Sequence, residues 1–315
     1  MCGIVGLHLR SPELYPRLGE LLTGMLCEME DRGADSAGIA VYGHEAWSPA
    51  GHATVSLVDA AAEPGEVAAA LSAAVGADVR VVAAGDVLLA SAGTDPAALL
   101  AATRQCYPDV LVGGFGEDLA VLKGVGSPRT LAQAWGLPAA QGWQGVGHTR
   151  MATESAVTAA GAHPYAVGPG ECMVHNGSFS NHATIRRDLV AAGQEFDSDN
   201  DTEVGARFVA QQLQEGRGVD EALTRLTRTF DGFYTLLVSN RDSFAVVRDA
   251  IACKPAVIAE TGDWVAMASE YRALAHLPGI ERARIWEPEP QVTYHWSREP
   301  GAVAGAGAEL VGVPA

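Results

Sequence analysis

The chain opens Met1-Cys2-Gly3-Ile4-Val5-Gly6-Leu7-His8-Leu9. Residues 4–9 are a short apolar run followed by Ser11-Pro12, an N-cap with Pro at the first helical position, so they read as a buried strand. Cys2 then stands at the mouth of that strand. Cysteine is small enough for an aminopeptidase to remove Met1, which leaves a thiol and a free α-amine on one residue. An α-amine titrates at about 7.7–8.0, close to what a general base needs at neutral pH. A side-chain nucleophile served by its own N-terminal amine is an established activation device. Free cysteines are more often buried and inert, so the tripeptide alone decides nothing.

Downstream, Leu14, Leu18, Leu21, Met25 and Met29 mark one helix face that ends near Arg32-Gly33, with Pro16 warning of a later start. A strand is expected at 38–42. Residues 51–135 change character, with strands at 54–58, 79–83, 87–90 and 119–123 and helices at 66–75 and 96–106. That β-α-β-β-α-β order is the split βαβ, ferredoxin-like pattern, read as a small inserted subdomain rather than an extension of a larger sheet. Strands are expected again at 145–149 and 172–175, and helices at 181–192, 202–215 and 219–230. Strands at 233–239, 244–248, 256–259 and 265–268 follow, separated by turn residues as in an antiparallel meander. The Gly/Ala-rich stretch 301–315 reads as a flexible tail. The fold class is α+β with antiparallel sheets, and a doubly wound α/β fold is the weaker reading.

Composition narrows the function. The net charge is −17 over 315 residues, which repels phosphate backbones and anionic lipid and argues against nucleic acid or membrane as partner. No apolar run reaches membrane-spanning length. The five cysteines are odd in number, form no C-x-x-C pair, and follow no secretory signal. They fit a reducing, cytoplasmic setting, with no metal site and no disulfide framework.

Five further segments carry weight: Glu30-Asp31-Arg32-Gly33-Ala34-Asp35-Ser36-Ala37-Gly38, Gly147-His148-Thr149-Arg150-Met151-Ala152-Thr153, His175-Asn176-Gly177, Asn200-Asp201-Thr202-Glu203, and Arg248-Asp249 with Lys254-Pro255 and Ala268-Ser269-Glu270. Singly, His-Asn-Gly or Asn-Asp-Thr-Glu is more often a turn or a helix cap than a site. With Met-Cys-Gly-Ile-Val-Gly, and in this order, they resemble the class II glutamine amidotransferase domain across residues 1–42 and 145–277.

The resemblance implies a four-layer αββα sandwich of antiparallel sheets, of N-terminal-nucleophile hydrolase type, spanning 1–315 and carrying the 51–135 insertion. It implies that Cys2 attacks the glutamine carboxamide, with Asn176 and the Gly177 N–H as oxyanion donors. Arg150 would grip the substrate α-carboxylate, Asp201 the α-ammonium group, and Thr153 would add a hydrogen bond. Asp201 is preferred to Asp197 and Asp199 because it occupies the family's Asp-Thr-Glu frame. Arg32 would orient the amino-terminal turn, and His163 would be structural. Met151, at the expected wall of the glutamine pocket, departs from the family pattern, as do Glu154-Ser155 and the loop residues 250–253.

Too few residues follow the matching region for a second catalytic domain, so the chain is expected to be a detached glutaminase subunit. It resembles the amidotransferase-like subunit of split glutamate synthases and N-methylglutamate synthase. In those systems it works beside a flavin-containing synthase subunit and a Gly-repeat β-helix subunit. No cofactor is expected in this chain, and FMN and iron–sulfur are expected only on the partner. Two alternatives stand: a free-standing amidohydrolase acting on a γ-glutamyl or other small amide, and a catalytically silent scaffold.

Overall fold

The computed structural model describes residues 2–151 and 157–298, and the backbone of 309–311. The first elements are β1 (Gly3–Leu9), α1 (Leu18–Cys27) and β2 (Ser36–Tyr42). Next come β3 (Ala53–Val58), α2 (Pro64–Val75), β4 (Val79–Ala84), β5 (Val87–Ala92), α3 (Pro96–Cys106) and β6 (Leu111–Glu117). The chain continues with β7 (Leu119–Val125), α4 (Pro128–Ala134), β8 (Gln144–Arg150), β9 (Cys172–Phe179), α5 (His182–Ala191), α6 (Asp201–Gln214) and α7 (Val219–Thr229). Last are β10 (Gly232–Ser239), β11 (Ser243–Arg248), β12 (Val257–Glu260), β13 (Trp264–Ala268), β14 (Arg284–Trp286), β15 (Thr293–Ser297) and β16 (Glu309–Val311).

Two sheets face each other. One runs β14-β12-β13-β1-β8-β2-β7 and the other β16-β15-β11-β10-β9. Every pairing in them is antiparallel. Strand alternation sorts the core into three apolar layers. Val5, Leu7 and Leu9 of β1 pack on Leu18, Leu22, Met25 and Leu26 of α1. Ile4 points the other way and joins Val174, Leu237, Phe244 and Val246 between the sheets. Leu236, Val238, Ala245 and Val247 then pack on Ile185, Leu189, Val209, Leu223 and Leu226 of the helices behind the second sheet. The result is helix, sheet, sheet, helix. Pro16 lies in a 3-10 turn, Pro12–Arg17, so the regular helix begins only at Leu18. No described helix is long and apolar enough to cross a membrane.

A third sheet, β4-β5-β3-β6, has its own core with α2 and α3. Its fourth strand is Leu111–Glu117 and not 119–123, as the sequence pattern suggested. Residues Leu119–Val125 instead pair with β2 at the margin of the seven-stranded sheet. Three glycines in Leu111–Glu117 hide its strand character, whereas the apolar β7 advertises itself. The chain leaves for this sheet after Tyr42 and returns at Leu119, which are paired. Gly43 N–H donates to the Asp118 carbonyl at 2.8 Å across that neck. The outer side of β7 is met by Ser56, whose Oγ accepts the Val121 N–H at 3.0 Å. Of residues 301–315, only Glu309–Val311 is described, as an edge strand on β15.

Candidate active site

Cys2 leads into a strand fixed on both sides. Gly3 pairs with Thr149 of β8, and Val5 with Ala268 of β13. Just beyond β13, Ser269 donates its N–H to the Ile4 carbonyl and accepts the Ile4 N–H at Oγ, both at 2.9 Å. A Cβ on Gly3 would lie 2.8 Å from Met29 Cβ and from Thr149 Oγ1, so no larger residue fits there.

The Cys2 carbonyl oxygen accepts two hydrogen bonds, from Arg32 Nε at 2.9 Å and from Asn176 Nδ2 at 3.1 Å. Arg32 is buried, and its Nη1 donates to Glu270 Oε1 at 2.5 Å. The other Glu270 oxygen pairs with Arg272 Nε at 2.9 Å, and Arg272 reaches Asp31 at 3.0 Å. The hydrogen bond from Arg32, with the charge of Arg272, holds the Glu270 carboxyl below its ordinary range. The segments around Arg32 and Glu270 thus meet on the backbone of Cys2. The Cys2 thiol donates to the Met151 carbonyl at 3.9 Å.

Arg150, adjacent to Met151, is buried at the end of β8, where its carbonyl accepts the Asp35 N–H at 3.1 Å. Its guanidinium passes so close to Gly161 that a Cβ there would lie 2.8 Å from Nη1. Asn176 and Gly177 sit on β9, opposite Thr235 and Tyr234. Gly177 has φ of 144°, and a Cβ on it would fall 2.0 Å from the Phe233 carbonyl oxygen. Asp249 braces this turn of the ladder. Its Oδ1 accepts the Tyr234 N–H at 2.7 Å, and its Oδ2 accepts the Ile251 and Ala252 N–H groups at 2.6 and 3.1 Å. Arg248 donates to the Ala252 and Lys254 carbonyls of the same loop.

Asp201 begins α6. Its Oδ2 accepts the Phe179 N–H at 2.8 Å, and its Oδ1 is 3.4 Å from Thr202 Oγ1 and 3.9 Å from His175 Nδ1. Behind it lies a buried group of histidines. His163 Nε2 and His175 Nδ1 stand 2.9 and 2.8 Å from the Thr202 hydroxyl, and His148 Nε2 donates to the His175 carbonyl at 3.1 Å. Burial pushes His175 down to about 4, His148 to about 3, and His163 well below its ordinary 6.5.

The structure therefore joins Cys2, Arg32 and Asn176 by direct contact, with Gly177 next along the strand and Arg150 next to the carbonyl facing the thiol. Asp201 is tied to the same strand through Phe179, and His163 reaches it only through Thr202. Thr153, and Met1 before Cys2, lie outside the described residues. Asp197 is engaged by Arg207 at 3.0 Å, while Asp199 is fully exposed. Sequence reasoning did not single out the functional pairing of Glu270 with Arg32, nor the His148, His175 and Thr202 cluster. The latter had a faint signal in two histidines, His148 and His175, falling inside the quoted motifs. Among the described residues, no three His, Cys, Asp or Glu are grouped to hold a metal ion.

The family model for a glutamine amidotransferase domain matches residues 148–276. The chain is 45% identical over 308 residues to the glutamine amidotransferase-like protein GlxB of Rhizobium meliloti, covering 96% of this chain and 100% of that protein. It is 28% identical over 286 residues to a putative glutamine amidotransferase of Methanothermobacter thermautotrophicus, covering 86% and 92% of the two chains. Among solved structures, the glutamine phosphoribosylpyrophosphate amidotransferase of B. subtilis superposes with a TM-score of 0.57 at 18% identity. That match takes in 98% of this chain but 48% of the other, so this chain spans about half the length of that enzyme.

Proposed function

The chain belongs to the class II glutamine amidotransferase family, and we propose on that premise that it hydrolyses the glutamine side-chain amide through a thioester on Cys2 and delivers the ammonia to a separate synthase. The observation that supports this reading is the convergence of Arg32 and Asn176 on the Cys2 carbonyl, which ties the backbone of Cys2 to the strand that carries Gly177. Once Met1 is removed, the Cys2 amine takes the thiol proton as Sγ attacks the carboxamide carbon. The proton passes to the departing nitrogen, ammonia leaves, and water then releases glutamate from the thioester.

The developing oxyanion needs fixed donors. His175 O and Phe179 N both bond away from β10, on the free side of β9. By strand alternation the intervening Gly177 turns its N–H to that same side, the orientation an oxyanion donor requires. Arg150 is read as the residue that takes the α-carboxylate and Asp201 as the one that takes the α-ammonium group, on the resemblance of their motifs. The synthase partner is read as a flavin-containing subunit carrying FMN and iron–sulfur, assembled with a Gly-repeat β-helix subunit. This part rests on the resemblance of the motifs to split glutamate and N-methylglutamate synthases.

Glutamine hydrolysis is measured on the isolated chain and on the complex purified from the native source, with intact mass and a glutamine-like electrophile read in parallel. Active protein is expected to begin at Cys2, to be labelled at Cys2 alone, and to turn over faster in the complex. Full activity in protein retaining Met1 overturns the mechanism. Full turnover in a chain that captures no flavoprotein overturns the partner and favours a free-standing amidohydrolase.

A further inference from the structure

Behind Asp201 stands a hydroxyl with more partners than the reaction just described uses. Thr202 is 1% exposed at the start of α6. Its backbone N–H is already taken by Asn200 Oδ1 at 2.9 Å, so the helix is capped without its side chain. Thr202 Oγ1 has three neighbours: His175 Nδ1 at 2.8 Å, His163 Nε2 at 2.9 Å and Asp201 Oδ1 at 3.4 Å. A hydroxyl offers one hydrogen and two lone pairs, so three neighbours use all of its capacity and only one of them receives the hydrogen.

Counting protons decides which. Both rings are buried deeply enough to stay neutral, so each carries a single N–H. Were either ring to accept the Thr202 hydrogen, its own N–H would move to the opposite nitrogen, His175 Nε2 or His163 Nδ1. Both of those atoms are buried and lack a partner among the described residues. An orphaned buried N–H is among the rarest features of folded proteins, whereas an idle acceptor is better tolerated. Both rings therefore donate to Oγ1, and the hydroxyl hydrogen goes to Asp201, the one acceptor left.

The geometry points to Thr202 as a positioning residue that aims the Asp201 carboxylate at the α-ammonium group of the substrate, its hydroxyl locked in place by His163 and His175. This rests on the reading of Asp201 as the residue that takes that group. With the Phe179 N–H on Oδ2 and the Thr202 O–H on Oδ1, both carboxylate oxygens are tethered and the plane of the group is set. The contact to Oδ1 is long, as such bonds often are before substrate arrives. Without the hydroxyl, Asp201 keeps one tether and turns toward His175 Nδ1, 3.9 Å away.

Thr202→Val keeps the shape and removes the hydroxyl. It is expected to raise the KM for glutamine about tenfold with little change in kcat, the loss of one hydrogen bond to a charged group. Thr202→Ser is expected to restore the wild-type KM. Turnover of 4-carbamoylbutanoate, which is glutamine without its α-amino group, is expected to be the same in all three proteins. Asp201→Ala is run alongside. If it raises the KM for glutamine while Thr202→Val does not, the positioning role falls and the Asp201 reading stands. If Asp201→Ala leaves that KM unchanged, the Asp201 reading falls and takes the positioning role with it. Equal losses in the Val and Ser variants, or equal losses on both substrates, also overturn the role. Because Thr202→Val strips the acceptor from two buried N–H groups and risks the fold, a second measurement uses the unaltered chain. Nitrogen NMR of labelled histidines is expected to find His175 protonated at Nδ1 and His163 at Nε2, and the opposite tautomer at either overturns the inference.

Discussion

Arg32 and Glu270 are 238 positions apart in sequence and meet at 2.5 Å, while the same guanidinium holds the Cys2 carbonyl at 2.9 Å. The backbone of Cys2, the proposed nucleophile, is thus anchored by a buried arginine that is itself held in an ion pair.

Loss of that anchor is expected to lower kcat and leave the KM for glutamine alone. Arg32→Lys cannot serve both partners at once and should cost about a hundredfold in kcat, and Glu270→Gln about tenfold, in keeping with the value of a charge-assisted bond. Steady-state kinetics, with melting curves to confirm the fold, check it. Because the Glu270 carboxyl is held below its ordinary 4.5, the anchor survives acidification through that value and fails only beneath it.

Asn176→Ala removes one proposed oxyanion donor and should lower turnover by about 10²–10³. Gly177→Ala should be as damaging for another reason. Its new Cβ would fall 2.0 Å from the Phe233 carbonyl at a φ few side chains adopt, so β9 must shift away from β10. Single-turnover thioester formation reads both.

Arg150→Lys keeps the charge but loses the planar fork, and its buried setting leaves little room for a lysine to compensate. The KM for glutamine should rise sharply. Arg150→Lys should have a similar effect on every substrate that keeps the α-carboxylate, which separates it from changes at Asp201.

Glu171 is buried, its Oε1 lacks a partner among the described residues, and desolvation raises its pKa from 4.5 to about 8. The unfolded chain releases this proton near 4.5 and the folded one near 8. Between those values the unfolded state binds fewer protons, so stability falls as pH rises. Glu171→Gln should therefore raise Tm at about pH 8 and change it little at about pH 4. Melting curves across that window decide it, and an unchanged difference at the two ends would sink the assignment.

The antiparallel α+β strands were legible because they are apolar and nearly continuous, whereas their stacking into a four-layer sandwich came only from the resemblance of the motifs. On β10 and β11 the reading was plain, since Leu236, Leu237, Val246 and Val247 alternate between two buried faces. β6 was not legible, since glycine carries no side chain to reveal alternation. The short strands β14 and β15 escaped notice because neither has a long apolar run. Within the site, Cys2, Arg32, Asn176 and Asp201 stood in motifs, but their contacts span up to 238 positions. The hydroxyl of Thr202 was invisible for a plainer reason. Its role depends on two histidines brought from 39 and 27 residues away, and no local pattern encodes that.

The narrow neck between Tyr42 and Leu119 makes the four-stranded unit look removable, since a tight hairpin could replace it without disturbing either paired strand. Its grip on β7 argues for a different outcome. Ser56 occupies the outward-facing Val121 amide, so excision would bare the rim of the large sheet along an apolar strand. A strand so uncovered recruits another of its kind. A trimmed chain would keep its chemistry and lose its solitude, self-associating rim to rim unless charged residues were written into β7.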